Sequence, residues 1–282
     1  MSVVPAFPMG HFATVNGGKF RLHFHEFGER SAERPSLLFL HGSGPGASGY
    51  SNFRQNWPAI VDAGHHALVV DYLGYGHSDK PSDFVYSNVN QVAILHEFLE
   101  NKGIERVIPI GNSLGGFLGL QYALTFPDRV PKLICMAPGG IEDTAKWAHE
   151  SRGLLAMGAA VRSGKGFNRD NFRDLLKLIV KDQRHLTDQV IDERLPIAQA
   201  QPPEVYSTMV YSPVWDQLGD LRMPVLGFWG QHDQFLPVRH ATIMQEQIRD
   251  CRMILSNRAG HWFMIEEAEL FNAACIQFLA AE

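Results

Sequence analysis

The chain is 282 residues long, 45% hydrophobic and 20% charged, with 25 Lys+Arg against 30 Asp+Glu and a formal net charge of −5. That is a soluble globular composition, sized for one large domain or a core carrying an insertion. It gives no electrostatic reason to approach nucleic acid or an anionic membrane, and no window approaches the ~18 consecutive apolar residues of a membrane span. The start, Met1-Ser2-Val3-Val4-Pro5, lacks the basic flank and apolar core of a secretory signal. Cys135, Cys251 and Cys275 are few and dispersed, which fits neither a disulfide framework nor a zinc knuckle and points to a reducing cytoplasm.

Short, continuous apolar runs bounded by turn residues predict strands buried on both faces, as in a parallel sheet. The first, Leu37–Leu40, runs into a glycine-rich loop, His41-Gly42-Ser43-Gly44-Pro45-Gly46. Further on, Gly44 to Gly49 matches G-x-G-x-x-G, and Asp71 closes the next strand, Ala67–Val70. A dinucleotide-binding reading fails here, because Pro45 removes an N–H that would face a phosphate and Tyr50-Ser51-Asn52-Phe53 opens a helix poorly. Val89, Val92, Leu95 and Leu99 form one helical stripe, stopped by Gly103. Strands Val107–Ile110 and Leu133–Met136 follow. From residue 140 to 212 the strand rhythm lapses and the chain reads as a helical lid, with Phe172, Leu175, Leu176, Ile179 and Val180 in one stripe. It divides a core of residues 1–139 and 213–282. Strands resume at Val225–Trp229 and Met253–Leu255. Alternating strands and helices make an α/β fold with helices on both sheet faces.

The sharpest chemical signal is Gly111-Asn112-Ser113-Leu114-Gly115, placed between a strand and an apolar helix. That context makes G-x-S-x-G a nucleophile elbow. A serine hydroxyl is a weak nucleophile and needs a base and an orienting acid. His261 and Asp233 both follow predicted strands, at the sheet edge where ligands collect in open α/β folds. The order Ser113…Asp233…His261 is that of an α/β-hydrolase. Glu142 and Asp143 are the rival acids. His41 reads as ordering its loop. The backbone N–H groups of Ser43 and Leu114 would form the oxyanion hole. Neither a metal nor an organic cofactor is implied, since no H-E-x-x-H motif or Cys/His cluster is present.

Four further segments resemble the meta-cleavage-product hydrolases, α/β-hydrolases that cut a carbon–carbon bond in the dienoates made by extradiol ring opening of catechols. They are the loop His41–Phe53 with its Asn52, Asn112 before the serine, Gly260-His261-Trp262, and Leu186-Thr187-Asp188 leading to Arg194. The resemblance covers most of the chain from about Val15. It implies that Asn52, Asn112, Arg194 and Trp262 hold the carboxylate and 2-hydroxy/oxo end of the substrate, with Gly44 also among the substrate-binding residues. The planar carboxylate of such an acid suits a guanidinium fork. Ile179, Trp215, Phe235 and Leu236 would face the distal, apolar end. The chain departs from many relatives in its aliphatic Ile179 and in Pro196, expected to end the lid helix early. The implied partner is a small molecule with a carboxylate end and an apolar end, and the family suggests a homodimer or larger assembly. The competing reading is a general carboxylesterase or thioesterase, for which a cation in the acid subsite has no particular use.

Overall fold

A computed structural model describes residues 9–207 and 212–281. The first residues, read above for a leader, and part of the end of the lid stretch lie outside the described residues.

Eight strands form one sheet: β1 (His11–Val15), β2 (Phe20–Phe27), β3 (Ser36–Leu40), β4 (Ala67–Val70), β5 (Val107–Asn112), β6 (Leu133–Met136), β7 (Val225–Gly230) and β8 (Cys251–Ser256). Their spatial order is β1-β2-β4-β3-β5-β6-β7-β8. All neighbours from β4 to β8 pair in parallel. β3 to β7 are buried throughout, as their unbroken apolar runs predict.

β1 and β2 are antiparallel additions at one edge. Their polar–apolar alternation, with His23 and His25 turned inward, hides them from a search for continuous apolar runs. Asp71, the acid of the discarded nucleotide motif, is buried here. It accepts from His23 Nδ1 at 2.8 Å, Gly49 N at 2.7 Å and His77 N at 2.9 Å. Its place is to fix the turn that follows β4 and the start of the helix after the glycine-rich loop.

In the first half the helices are α1 (Gly49–Phe53), α2 (Trp57–Asp62), α3 (Asn88–Asn101) and α4 (Leu114–Thr125). Ser48 caps α1 with a reciprocal capping box. In α3, Val92, Leu95 and Leu99 are buried as the stripe requires, whereas Val89 is 49% exposed. α4 is apolar almost all round because β3, β5, β6 and α3 enclose it.

Between β6 and β7 every described element is helical: α5 (Thr144–Trp147), α6 (Arg152–Arg162), α7 (Arg169–Leu176), α8 (Asp188–Ala200) and α9 (Glu204–Ser207), with short 3₁₀ turns. The whole predicted stripe is buried, but α7 ends at Leu176, so Ile179 and Val180 lie in the strap beyond it. Pro196 does not end α8, which continues to Ala200. Proline removes one intrahelical bond. Here both Pro196 and Asp192, whose carbonyl loses its donor, are exposed, so water can replace that donor. After β7 come α10 (Arg239–Gln247), α11 (Phe263–Glu266) and α12 (Ala268–Ala280). No described helix is long and apolar enough to cross a membrane.

Candidate active site

Because β3, β5, β7 and β8 run in one direction, the loops after them open on the same sheet edge. Those loops carry Ser43, Ser113, Asp233 and His261. Ser113 sits at φ 56°, ψ −115°. That conformation is costly for a residue with a side chain, about 1–3 kcal/mol, and persists only where the surroundings impose it. Ser113 N donates to Met136 O at 2.9 Å, while Ser113 O accepts from Phe117 N at 3.0 Å and Gly139 N at 3.2 Å. The flanking glycines are required by space. A Cβ on Gly111 would lie 2.2 Å from Gly115 O, and one on Gly115 would lie 2.0 Å from Leu40 O.

His261 Nδ1 meets Asp233 Oδ2 at 2.7 Å. Asp233 is fully buried, and its other oxygen accepts from Phe235 N at 2.7 Å and Leu236 N at 3.0 Å. These bonds orient the carboxylate toward the imidazole, in the arrangement in which His261 Nδ1 donates to the acid and Nε2 is left for the serine. Among the described residues no hydrogen bond joins Ser113 Oγ to His261 Nε2, although both line one cavity. Catalytic hydrogen bonds often tighten only when substrate arrives. Leu114 opens α4, so its N–H has no partner within the helix. Leu114 lines a cavity together with Ser43 and Ser113.

The rival acids are engaged elsewhere. Glu142 Oε2 meets His240 Nε2 at 3.2 Å, and Asp143 caps α5. His41 is buried, with Nδ1 donating to Gly42 O at 2.7 Å and Nε2 accepting from Tyr72 N at 3.3 Å. Burial lowers its pKa to about 4, so it stays neutral and shapes the loop.

Two cavities meet at Ser113. The first is lined by Ser43, Gly44, Asn52, Asn112, Arg194, His261 and Trp262. Arg194 comes from α8 of the lid and is 2% exposed. Its Nη1 donates to Ser51 Oγ and Asn52 Oδ1, both at 3.2 Å, and its guanidinium lies 4.6 Å from the Trp262 ring centroid. The nearest acid, Glu193, is taken by Arg54 at 2.7 Å. Burial first, then Arg54, pulls the Arg194 pKa down to about 9. Among the described residues, Arg194 Nε, Asn52 Nδ2 and Asn112 Oδ1 are all buried without a hydrogen-bond partner. Such groups are costly unless something completes them.

The lid is pressed onto this site. A Cβ on Gly46, at φ +70°, would lie 2.2 Å from Arg194 O, and Gly46 N donates to Gln201 Oε1 at 2.8 Å. Ile179 and Phe235 line the Arg194 cavity rather than a distal one. His261 N donates to Ile179 O at 2.7 Å, and Phe235 stacks 5.1 Å from the His261 ring. Both side chains are thus carried by backbone that braces the imidazole, a relation that an apolar pattern does not reveal.

The second cavity is lined by Trp215 and Leu236, the latter shared with the first cavity, together with Phe117, Thr144, Trp147, Leu154 and Pro213. The latter five were not anticipated. Phe117 was open to discovery, since it lies one helical turn after Ser113. Trp147 is placed by a buried contact with His240, 5.2 Å between ring centroids, which nothing in the sequence marks. No described group of three His, Cys, Asp or Glu side chains could hold a metal ion.

These features define a serine hydrolase of the α/β type. The sequence profile of the alpha/beta hydrolase fold matches residues 35–189. The 2-hydroxy-6-oxo-6-phenylhexa-2,4-dienoate hydrolase of Comamonas testosteroni is 31% identical over 270 residues, covering 92% of this chain and 91% of that protein. The 2-hydroxy-6-oxononadienedioate/2-hydroxy-6-oxononatrienedioate hydrolase of the same organism is 29% identical, covering 95% and 96%. Among solved structures, the meta-cleavage product hydrolase of Pseudomonas fluorescens IP01 superposes with a TM-score of 0.81 at 26% identity, covering 96% of this chain and 97% of that one. The chain belongs to the alpha/beta hydrolase fold family and, within it, to the meta-cleavage-product hydrolases.

Proposed function

We propose that the protein hydrolyses a carbon–carbon bond in a 2-hydroxy-6-oxo-hexa-2,4-dienoate-type ring-fission product. The products are a 2-hydroxypentadienoate and a carboxylic acid, formed in the degradation of aromatic compounds. The observation that carries this reading is Arg194: a buried cation with no carboxylate partner among the described residues, on an aromatic face, in the same cavity as Ser113. A substrate carboxylate supplies the missing charge, and Asn52 and Asn112 offer the unpaired donor and acceptor for the adjoining 2-hydroxy/oxo group.

Bound this way, the dienol is helped to ketonise. A proton moves onto carbon and the conjugation is broken. The bond next to the distal ketone then has a stabilised dienolate as its leaving group. Ser113, deprotonated by His261 and oriented through Asp233, attacks that ketone. The N–H groups of Ser43 and Leu114 receive the oxyanion, each contributing about 3 kcal/mol. The dienolate departs and takes up a proton, and water, activated by His261, releases the acid from the serine. The protein acts in a reducing cytoplasm, in keeping with its free cysteines.

The distal end of the substrate lies in the second cavity. Its lining of Phe117, Trp147, Leu154, Pro213, Trp215 and Leu236 includes no cation. This favours an aryl or alkyl ketone over the terminal carboxylate that a dienedioate carries. Stripping water from a carboxylate there without a partner costs several kcal/mol. The test is a panel of coloured dienoates with phenyl, alkyl or carboxyethyl tails, run beside nitrophenyl esters. Loss of dienoate colour is expected, with kcat/KM at least about 100-fold lower for the charged tail. Ester turnover with inert dienoates would refute the proposal.

A further inference from the structure

We propose that Glu266 is a positioning residue that fastens the lid strap to the loop bearing His261, so that binding of the substrate acid and placement of the base are one mechanical unit. Glu266 ends α11, five residues after the imidazole, and is not part of the triad. Its Oε1 accepts from Lys181 N and Asp182 N, both at 2.8 Å. Its Oε2 accepts from Gly260 N at 2.6 Å. One carboxylate therefore joins two segments that are 78 residues apart in the chain (260 − 182). A fourth bond, His261 N to Ile179 O at 2.7 Å, lies alongside.

The chemistry suits the task. An ionised carboxylate is acceptor-only and can take several N–H donors at once, whereas any neutral side chain of this shape brings a donor of its own. Burial raises the pKa of this carboxyl, and the three backbone N–H bonds oppose that rise by favouring the charged form. The strap runs from Ile179, which lines the acid cavity, through Asp182 to Thr187, the cap of α8, and α8 carries Arg194. Glu266 thus sits where the segment that leads to the substrate-binding cation crosses the segment that holds the base. The neighbouring Glu267 binds Ser256 Oγ and Arg258 within the His261 side alone, and makes no such link.

This inference rests on the triad reading above, not on the choice of substrate. Glu266→Gln preserves shape but sets an NH₂ group against at least one of the backbone N–H donors. We measure kcat and KM for nitrophenyl acetate and a phenyl dienoate, together with hydrogen exchange at the amides of residues 181, 182 and 260. The expected result is a kcat lowered about tenfold or more for nitrophenyl acetate with KM little changed, as misplacement of a catalytic group produces. The three amides should exchange faster together, while those of β5 stay protected. A kcat within about twofold of the unmutated protein overturns the proposal. If the variant does not fold, exchange in the unmutated protein decides: one shared opening rate for the three amides supports the coupling, and unrelated rates overturn it. Because nitrophenyl acetate needs the triad but not Arg194, inert dienoates would refute the substrate reading while leaving this comparison intact.

Discussion

Replacing Arg194 with methionine separates function from stability. The depression of its pKa to about 9 corresponds to roughly 5 kcal/mol of electrostatic cost to the charged form. Against that stand two hydrogen bonds of 3.2 Å and the Trp262 face, together about 3–5 kcal/mol. Methionine fills a similar volume and removes the cost and the contacts together. The unfolding free energy should therefore stay within about 1 kcal/mol of the unmutated protein, or rise. Dienoate turnover fares differently. It loses a forked, charge-assisted contact worth about 3–4 kcal/mol, a fall of about 10²–10³-fold in kcat/KM. Nitrophenyl acetate, which has no carboxylate to place, should keep its kcat/KM within about threefold. Urea denaturation followed by circular dichroism gives the first quantity, and loss of dienoate absorbance against release of nitrophenol gives the others. Equal losses on both substrates, or a stability loss above about 3 kcal/mol, would show that Arg194 is a structural cation and would refute the reasoning.

Ser113→Gly should abolish turnover of both substrate types and raise stability by about 1 kcal/mol, since glycine accepts φ 56° without strain and recovers part of the 1–3 kcal/mol stored there; a less stable glycine variant would mean that the elbow is unstrained. Acid sensitivity should include a contribution from His41. Its folded pKa of about 4 lies below the ordinary 6.5, so the unfolded chain binds more protons between those values. Stability from this group is complete above pH 6.5 and falls by about 3 kcal/mol as the pH drops through 4. A His41→Gln variant, less stable at neutral pH, should show a shallower fall over the same range in denaturation midpoints, and an unchanged slope would exclude the histidine as the source.

Much of the site was legible because its chemistry is bound to local backbone. Gly111 and Gly115 must be glycine for the chain to turn between β5 and α4, so the motif announces Ser113 wherever a strand precedes it and a helix follows. Asp233 and His261 could be chosen among many candidates because both follow apolar runs, the first fully buried in β7 and the second only half-buried in the edge strand β8, and parallel strands deliver their trailing loops to one edge. The antiparallel edge was not legible in the same way. β1 is mostly exposed, and β2 buries Leu22 to His25 but places two histidines among them, so neither presents an unbroken apolar run.

The sequence by itself determined the strand–helix rhythm, the elbow and the identity of the reacting groups, since each depends on residues close in the chain. Only the tertiary structure decided that Arg194 is enclosed without an acid among the described residues, that Ile179 and Phe235 brace the imidazole side, and that Phe117, Trp147 and Pro213 wall the second cavity. The strap beyond α7 shows why. Ile179 continues a helical stripe on paper, but its place is set by a carbonyl bonded to His261 and by two neighbouring amides held on Glu266. Those partners come from a segment about eighty residues later, and the pairing exists only once the lid is folded onto the sheet.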